Sequence, residues 1–307
     1  MTLLEVNGLT ISFTQYTRRL RQTRVQVLHG LSLSIAAGEI VAVVGSSGSG
    51  KSLLAHAILG ILPGNARVSG SLRFAGEELT AARQQALRGR EIALVPQSVQ
   101  YLDPLMRVGR QVRDSVRTGD PDEAQRSVFA RYRLKPEAAR LFPFQLSGGM
   151  ARRVLVSTAT VSGARLVVAD EPTPGLDPAV VMEALGQFRE LADEGCGVML
   201  ISHDIESALT VSDRVAVLYA GTVVEIAPAA DFTGSGEGLR HPYTQALWRA
   251  LPQNGFVPIR GTQPPASALP QGCPFAPRCD RADASCTATQ PEERELRGGK
   301  VRCFHAS

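Results

Sequence analysis

The sequence predicts an α/β fold built on a mostly parallel sheet, and three observations predict it. Ile40-Val41-Ala42-Val43-Val44 is an apolar run of strand length that ends in a glycine-rich turn, with a helical pattern over 53–59 behind it. Ile92-Ala93-Leu94-Val95, Leu166-Val167-Val168-Ala169 and Val198-Met199-Leu200-Ile201 are further runs of the same kind, separated by helical patterns. Uninterrupted apolar strands are those covered on both faces, as in a parallel sheet flanked by crossover helices. At 307 residues and 44% hydrophobic content the chain is long enough to fill such a core and to carry a small appendage.

The elements follow in order. Residues 3–13 and 25–35 alternate apolar and polar positions, which predicts two antiparallel strands joined by a basic loop holding Arg18, Arg19, Arg21 and Arg24. The strand at 40–44 comes next, with its glycine turn and helix. Between 99 and 164 the composition shifts to Arg, Ala and Gln without strong strand signals, which predicts a helical insertion. A Pro-, Gly- and Ser-rich stretch around 228–240 ends the main domain, so the chain divides into 1–235 and a loop-rich extension over 236–307.

Composition excludes some functions. The net charge of +4 arises from 33 basic and 29 acidic side chains, too balanced for a nucleic-acid footprint, so no nucleic-acid partner is expected. Lys occurs only at 51, 135 and 300, a bias that reflects genome composition more than chemistry. No apolar run approaches bilayer-spanning length, and Met1-Thr2-Leu3-Leu4-Glu5 lacks the start of a signal peptide. The expectation is a cytoplasmic chain whose membrane contact is peripheral. Five cysteines in such a chain argue against a disulfide framework, yet four fall in the last 35 residues and need their own explanation.

Gly45-Ser46-Ser47-Gly48-Ser49-Gly50-Lys51-Ser52 fits the phosphate-loop pattern G-x-x-x-x-G-K-[ST], in the required place between strand and helix. The glycines let backbone N–H groups converge on phosphate oxygens, Lys51 reaches the outer phosphates, and the Ser52 hydroxyl can ligate Mg²⁺. An apolar strand then delivers Asp170 to the metal's coordination sphere and Glu171 to an attacking water. An acidic pair at a strand end is by itself an ordinary solvated turn. Its weight comes from following a phosphate loop by about 120 residues.

Leu146-Ser147-Gly148-Gly149-Met150, lying between those two motifs, closely resembles the LSGGQ signature of ATP-binding cassettes, and the order of all three motifs is that of an ABC ATPase. The resemblance implies an ABC-type P-loop NTPase with a RecA-like core, an antiparallel β subdomain, a helical subdomain and a small cysteine-containing extension. It implies ATP and Mg²⁺ as ligands, with Ser52, Gln97 and Asp170 around the metal. Gln97 resembles the glutamine that senses Mg²⁺ and the membrane subunit. His203 resembles the switch histidine at the γ-phosphate, Leu176 and Asp177 the D-loop, and Phe13 the aromatic that stacks on adenine. Ser147, Gly148 and Gly149 would meet the nucleotide of a second cassette in a head-to-tail dimer. The sequence departs from the family at Met150 and Arg152, each where Gln is usual, and at Pro174-Gly175, where Ser-Ala is more frequent.

The tail narrows the resemblance. His241-Pro242-Tyr243-Thr244 and Gly272-Cys273-Pro274-Phe275-Ala276-Pro277-Arg278-Cys279 are similar to the C-terminal extension of oligopeptide and dipeptide importer ATPases, a group that includes nickel importers. This implies a second, related ATPase subunit or a homodimer, two permeases, an extracytoplasmic binding protein, and a place on the cytoplasmic face of the membrane. Peptide is the first cargo and nickel or a metal chelate the alternative. A soluble ABC ATPase acting on ribosomes or DNA is the competing class, but the double cassettes or coiled-coil insertions common there are not visible. Cys273, Cys279, Cys286 and Cys303 are separated by five, six and sixteen residues, unlike the paired C-x₂-C of common zinc sites. The resembled subfamily carries a [4Fe-4S] cluster in this region, so a cluster on these four ranks ahead of zinc and of free thiols. Such a cluster, in a tail that follows completion of the ATPase core, is expected to lie away from the phosphate loop. Cys196, just before a strand, reads as a small buried residue.

Overall fold

The expected alternation at the start of the chain appears as β1 (Thr2–Tyr16) paired antiparallel with β2 (Gln22–Ala36), in register at Val6↔Leu33 and Phe13↔Val25. The computed structural model describes residues 1–16, 22–174 and 177–307, so Arg18, Arg19 and Arg21 of the basic loop, and Gly175 and Leu176, lie outside the described residues. β3 (Ile40–Gly45) runs into α1 (Lys51–Leu59). β4 (Ala66–Phe74) and the short β5 (Glu77–Glu78) complete a four-stranded antiparallel sheet in the order β2-β1-β4-β5. α2 (Ala81–Leu87) leads to β6 (Ile92–Val95).

From 96 to 165 the chain forms no strand and contains α3 (Val108–Asp114), α4 (Pro121–Arg131) and α5 (Gly148–Thr160). β7 (Leu166–Asp170), α6 (Pro178–Asp193), β8 (Gly197–Ile201), α7 (Ile205–Leu209), β9 (Arg214–Tyr219) and β10 (Thr222–Pro228) follow. The last stretch holds α8 (Pro242–Arg249), α9 (Ala284–Ala288), β11 (Arg294–Leu296) and β12 (Gly299–Val301). The main sheet has the order β11-β12-β10-β9-β3-β8-β7-β6. Its β9-β3-β8-β7-β6 part is parallel and its β9-β10-β12-β11 part antiparallel, so the sheet is more mixed than expected.

Why the central runs are apolar at every position is visible in the packing. Ile40, Ala42 and Val44 of β3 face one core, while Val41 and Val43 face another. β7 and β8 divide likewise: Val167, Ala169, Val198 and Leu200 enter the first core, and Leu166, Val168, Met199 and Ile201 the second. The first core is closed by the helical segment and the extension, the second by α1 and the antiparallel sheet. A strand of period two with a core on each side has no polar face to show. The same arrangement leaves the carboxyl ends of β3, β6, β7 and β8 free at one rim of the sheet, where ligands of open α/β sheets bind.

Candidate nucleotide site

The phosphate loop starts where β3 leaves the sheet. Gly45 has φ +150° and a Cβ there would stand 2.2 Å from the Leu218 carbonyl oxygen, while Gly50, at φ +101°, would drive a Cβ to 2.3 Å from the Leu28 side chain. No other residue fits either place, which pins the two ends of the loop against β9 and β2. Lys51 opens α1 and is buried, its Nζ donating to the carbonyls of Gly45 at 2.8 Å and Ser46 at 3.2 Å. Burial lowers its pKa, and the carboxylates of Glu171 and Asp170 act the other way. The ammonium is thus curled over its own loop.

Asp170 ends β7, and the Ser52 hydroxyl donates to its Oδ1 at 3.2 Å. Burial raises the Asp170 pKa, an effect the Ser52 hydrogen bond opposes. A hydroxyl and a buried carboxylate at this separation are the oxygen pair a hard divalent cation takes. Glu171 has φ +46°, a left-handed conformation rare outside glycine, and its N–H donates to the Ile201 carbonyl at 2.9 Å. That twist aims the carboxylate across the sheet rim: Gln97 Nε2 donates to Glu171 Oε2 at 3.0 Å, and His203 Nδ1 lies 3.4 Å from the same oxygen. Gln97, Glu171 and His203 follow β6, β7 and β8 closely, so the strand ends alone bring them together. Gln97 and Glu171, with residues 47–53 and Val27, line an open cleft of about 470 Å³, within the size range of small-molecule sites, while His203 reaches it only through Glu171.

The other expected residues stand apart. Ser147 caps α5, its Oγ accepting from the Met150 N–H at 3.3 Å, and Ser147 and Gly148 are exposed. Neither they nor Gly149 line the cleft. Asp177 precedes α6, exposed and without a side-chain capping bond. Phe13 is partly buried against the second core, opposite Val25 and two residues along β2 from cleft-lining Val27.

Two links escaped the sequence. Arg152, noted only as a departure from the usual Gln, is 5% exposed and its Nη1 donates to the carbonyls of Pro96 at 3.0 Å and Gln97 at 2.8 Å. Burial lowers the pKa of this guanidinium. The helix that starts at the signature is therefore fastened to the backbone of the glutamine at Glu171. The second link joins the extension to the phosphate loop. The Ser46 hydroxyl donates to Gln263 Oε1. Burial raises the pKa of the Tyr243 phenol, and Ser46 beside it opposes that rise. The cause is β10, which carries the chain back beside β9 and so sets α8 behind Gly45.

All four tail cysteines are free, with Cys273, Cys286 and Cys303 buried and Cys279 half-buried. Burial pushes the thiols of Cys273, Cys279 and Cys303 up. Each is raised further by its neighbours: Cys273 by Cys286 and Cys303, Cys279 by Cys286, and Cys303 by Cys279 and Cys286. The four thus occupy one locality, knotted by the Cys273 N–H donating to the Cys286 carbonyl at 2.8 Å. Beside them, ligand atoms of Asp283, Cys286 and His305 all lie within 4.8 Å of one another. Cys196 is a buried residue elsewhere, its thiol pushed up to about 11 by burial.

The ABC transporter family model matches residues 28–174, and the oligopeptide/dipeptide transporter C-terminal region matches residues 224–286. The chain belongs to the family of ABC transporter ATP-binding proteins. Within it, the chain is similar to the oligopeptide transport ATP-binding protein OppD of Mycobacterium bovis, 36% identical over 310 residues and 94% of this chain. It spans about half (49%) of that relative's length. A putative peptide import ATP-binding protein of Brucella melitensis is 35% identical over 98% of this chain and 94% of its own. A solved dimeric bacterial ABC transporter cassette shares the fold, with TM-score 0.64 and 23% identity over 74% of this chain and 99% of the other.

Proposed function

We propose that this chain is the ATP-hydrolysing subunit of an ABC importer and that its cargo is peptide. The observation that carries the hydrolytic part is the meeting of Gln97 and His203 on one oxygen of Glu171 beside a phosphate loop. The loop's N–H groups and Lys51 hold the triphosphate. Ser52, Asp170 and Gln97 hold Mg²⁺, which when bound neutralises charge on the phosphate oxygens. Glu171 orients the attacking water and accepts its proton, with Gln97 and His203 fixing the carboxylate's direction. Phe13 is the aromatic we assign to the adenine.

Ser147, Gly148 and Gly149 present the N-terminal end of α5 to solvent, away from this chain's own cleft, as a group acting on a second cassette's nucleotide must be. Asp177 lies exposed at the head of α6 for the same junction. The partners are therefore a related or identical cassette and, through the exposed Tyr101 and Leu105 beyond Gln97, permeases at the cytoplasmic face of the membrane. An extracytoplasmic binding protein delivers the cargo. No helix among the described residues is long and apolar enough to cross a membrane. The names of the relatives and the matched C-terminal region support peptide as cargo. Residues 1–235 form the motor, with 99–164 its helical part, and 236–307 the extension.

For the tail we propose a [4Fe-4S] cluster on Cys273, Cys279, Cys286 and Cys303, supported by their shared locality and by the need of a Pro- and Gly-rich segment for a staple. Asp283, Cys286 and His305 favour a second reading, a mononuclear cation such as zinc.

Titration and turnover test the motor. Lys51→Ala weakens MgATP binding by about 100-fold or more, the size of two charge-assisted hydrogen bonds at about 1.5–3 kcal/mol each. Glu171→Gln keeps affinity within a few fold and lowers kcat of the assembled complex by about 10²–10⁴. Equal loss of binding in both variants refutes these roles.

A further inference from the structure

We infer that the C-terminal extension is part of the nucleotide site's support, with Tyr243 and Gln263 as positioning residues that hold Ser46, and through it the phosphate loop, in its binding geometry. The inference rests on the nucleotide reading of that loop. Gly45 and Gly50 fix the ends of the loop by fitting where nothing larger can. Between them, Ser46 is the residue that the extension grips: its hydroxyl donates to Gln263, and the buried Tyr243 phenol stands beside it. Lys51 Nζ holds the Ser46 carbonyl from the other side at 3.2 Å. Ser46 is thus gripped from in front by the group that meets phosphate and from behind by the extension.

The grip is built to be stiff. Tyr243 is 2% exposed, and its ring lies 4.5 Å from Tyr219 and 5.3 Å from Phe275, centroid to centroid. Tyr219 meets Phe275 edge-on at 5.4 Å, so the three rings brace one another. Arg278 stands 5.8 Å over both Tyr219 and Phe275 and donates to the Tyr219 hydroxyl at 3.1 Å. Tyr219 directly follows Leu218, whose carbonyl abuts Gly45, so the ring cluster and the start of the loop share one piece of strand.

The helix that carries Tyr243 is tied as firmly. Buried Glu225 of β10 accepts from the backbone N–H groups of Arg240 and His241, both at 2.8 Å, and from Arg240 Nη1 at 3.3 Å. Arg240 Nη1 also donates to Asp231 at 2.8 Å. His241 Nδ1 then accepts from the Tyr243 N–H at 3.0 Å, capping α8. His-Pro-Tyr therefore reads as cap, first helical residue and loop contact in succession. Phe275 comes two residues after Cys273, which joins the cysteine locality to the phosphate loop by a chain of packed rings.

The bland account is that Tyr243 only fills space. Tyr243→Phe separates the two, since it keeps the ring and removes the contact with Ser46. MgATP is titrated against the full chain and the variants Tyr243→Phe, Gln263→Ala, Ser46→Ala and the Tyr243→Phe/Ser46→Ala pair. Tyr243→Phe is expected to weaken binding about 3–10-fold and Gln263→Ala about 2–5-fold, the range of single hydrogen bonds. The pair should be no more than about twofold weaker than Ser46→Ala, because Ser46→Ala already removes the hydroxyl that the Tyr243 phenol meets and from which Gln263 accepts. In the complex, KM for ATP rises while kcat stays within about twofold. Gln263 is partly exposed, so its variant folds even if Tyr243→Phe does not. Affinities within twofold of the parent in both Tyr243→Phe and Gln263→Ala, with Lys51→Ala abolishing binding, overturn the inference. A parent chain that binds no MgATP overturns the nucleotide reading instead.

Discussion

Replacing Glu225 by Gln asks how much of the extension hangs on one carboxylate. The side chain is fully buried and takes three hydrogen bonds from two residues: two backbone N–H groups and one arm of Arg240, itself 1% exposed. Gln has the same shape but offers one oxygen, and its NH₂ confronts a donor that needs an acceptor. One N–H is left unsatisfied, at about 1–3 kcal/mol, and the remaining bonds lose their charge assistance, about 1 kcal/mol more each. Arg240 keeps Asp231 at 2.8 Å, which limits the loss to the lower part of the range for a broken buried pair, about 3–5 kcal/mol. With about 2.1 cal/mol/K of unfolding entropy per residue over 307 residues, a loss of about 3–4 kcal/mol corresponds to a Tm lower by about 5–6 °C. Thermal unfolding followed by circular dichroism measures it, and limited proteolysis locates it, since cleavage within 236–307 should appear first. A Tm within about 2 °C of the parent, with the extension still resistant, refutes the anchoring role.

The remaining predictions concern other groups. Arg152→Ala should lower kcat of the assembled complex by about tenfold, because the carbonyls of Pro96 and Gln97 lose the donor that fixes the backbone behind Gln97, and Arg152→Gln should fall between; steady-state ATPase assays showing full activity in Arg152→Ala refute this. His241, pushed down to about 3 by burial, is neutral when folded and titrates near 6.5 when unfolded. The unfolded chain therefore binds the extra proton between these values, and stability falls as pH drops through that window, by roughly 2–3 kcal/mol at pH 4.5 relative to neutral pH. Urea unfolding at the two pH values checks it, and an equal loss in His241→Gln refutes the assignment. Anaerobic purification with iron and sulfide analysis should find about four of each per chain; stoichiometric zinc without iron moves the site to Asp283, Cys286 and His305.

The legible parts of the chain were those whose reasons are local. The phosphate loop is eight consecutive residues, and the strands around it are apolar at every position because each feeds two cores. Gln97 and His203 were legible only through the family resemblance, since a lone Gln or His reads as a surface or capping residue; the fold brings them to Glu171 because parallel strands end together at one rim. How the extension is anchored was illegible for the opposite reason. Glu225 and Arg240 meet across fifteen residues, Ser46 and Gln263 across 217, and no periodicity marks a pair of that kind. Arg152 was visible as a departure, but its use depends on two carbonyls some 55 residues earlier. The φ of +46° at Glu171 leaves no mark in composition, since a carboxylate there is required by chemistry and the backbone yields to it.

The hairpin that completes the main sheet bears on how this chain is made. β10 is flanked by β9, which is already present when β10 emerges, and by β12, whose Lys300 and Val301 pair with Ile226 and Glu225. A ribosome working at about 5–20 residues per second reaches those partners about 4–15 s after Glu225. During that interval a nascent chain with a formed parallel sheet carries an open row of N–H and C=O groups along β10, a template for any extended segment nearby. Two nascent chains on neighbouring ribosomes have the same row exposed at the same moment. Slowing elongation across 230–300 should therefore increase aggregation without altering one contact in the finished protein.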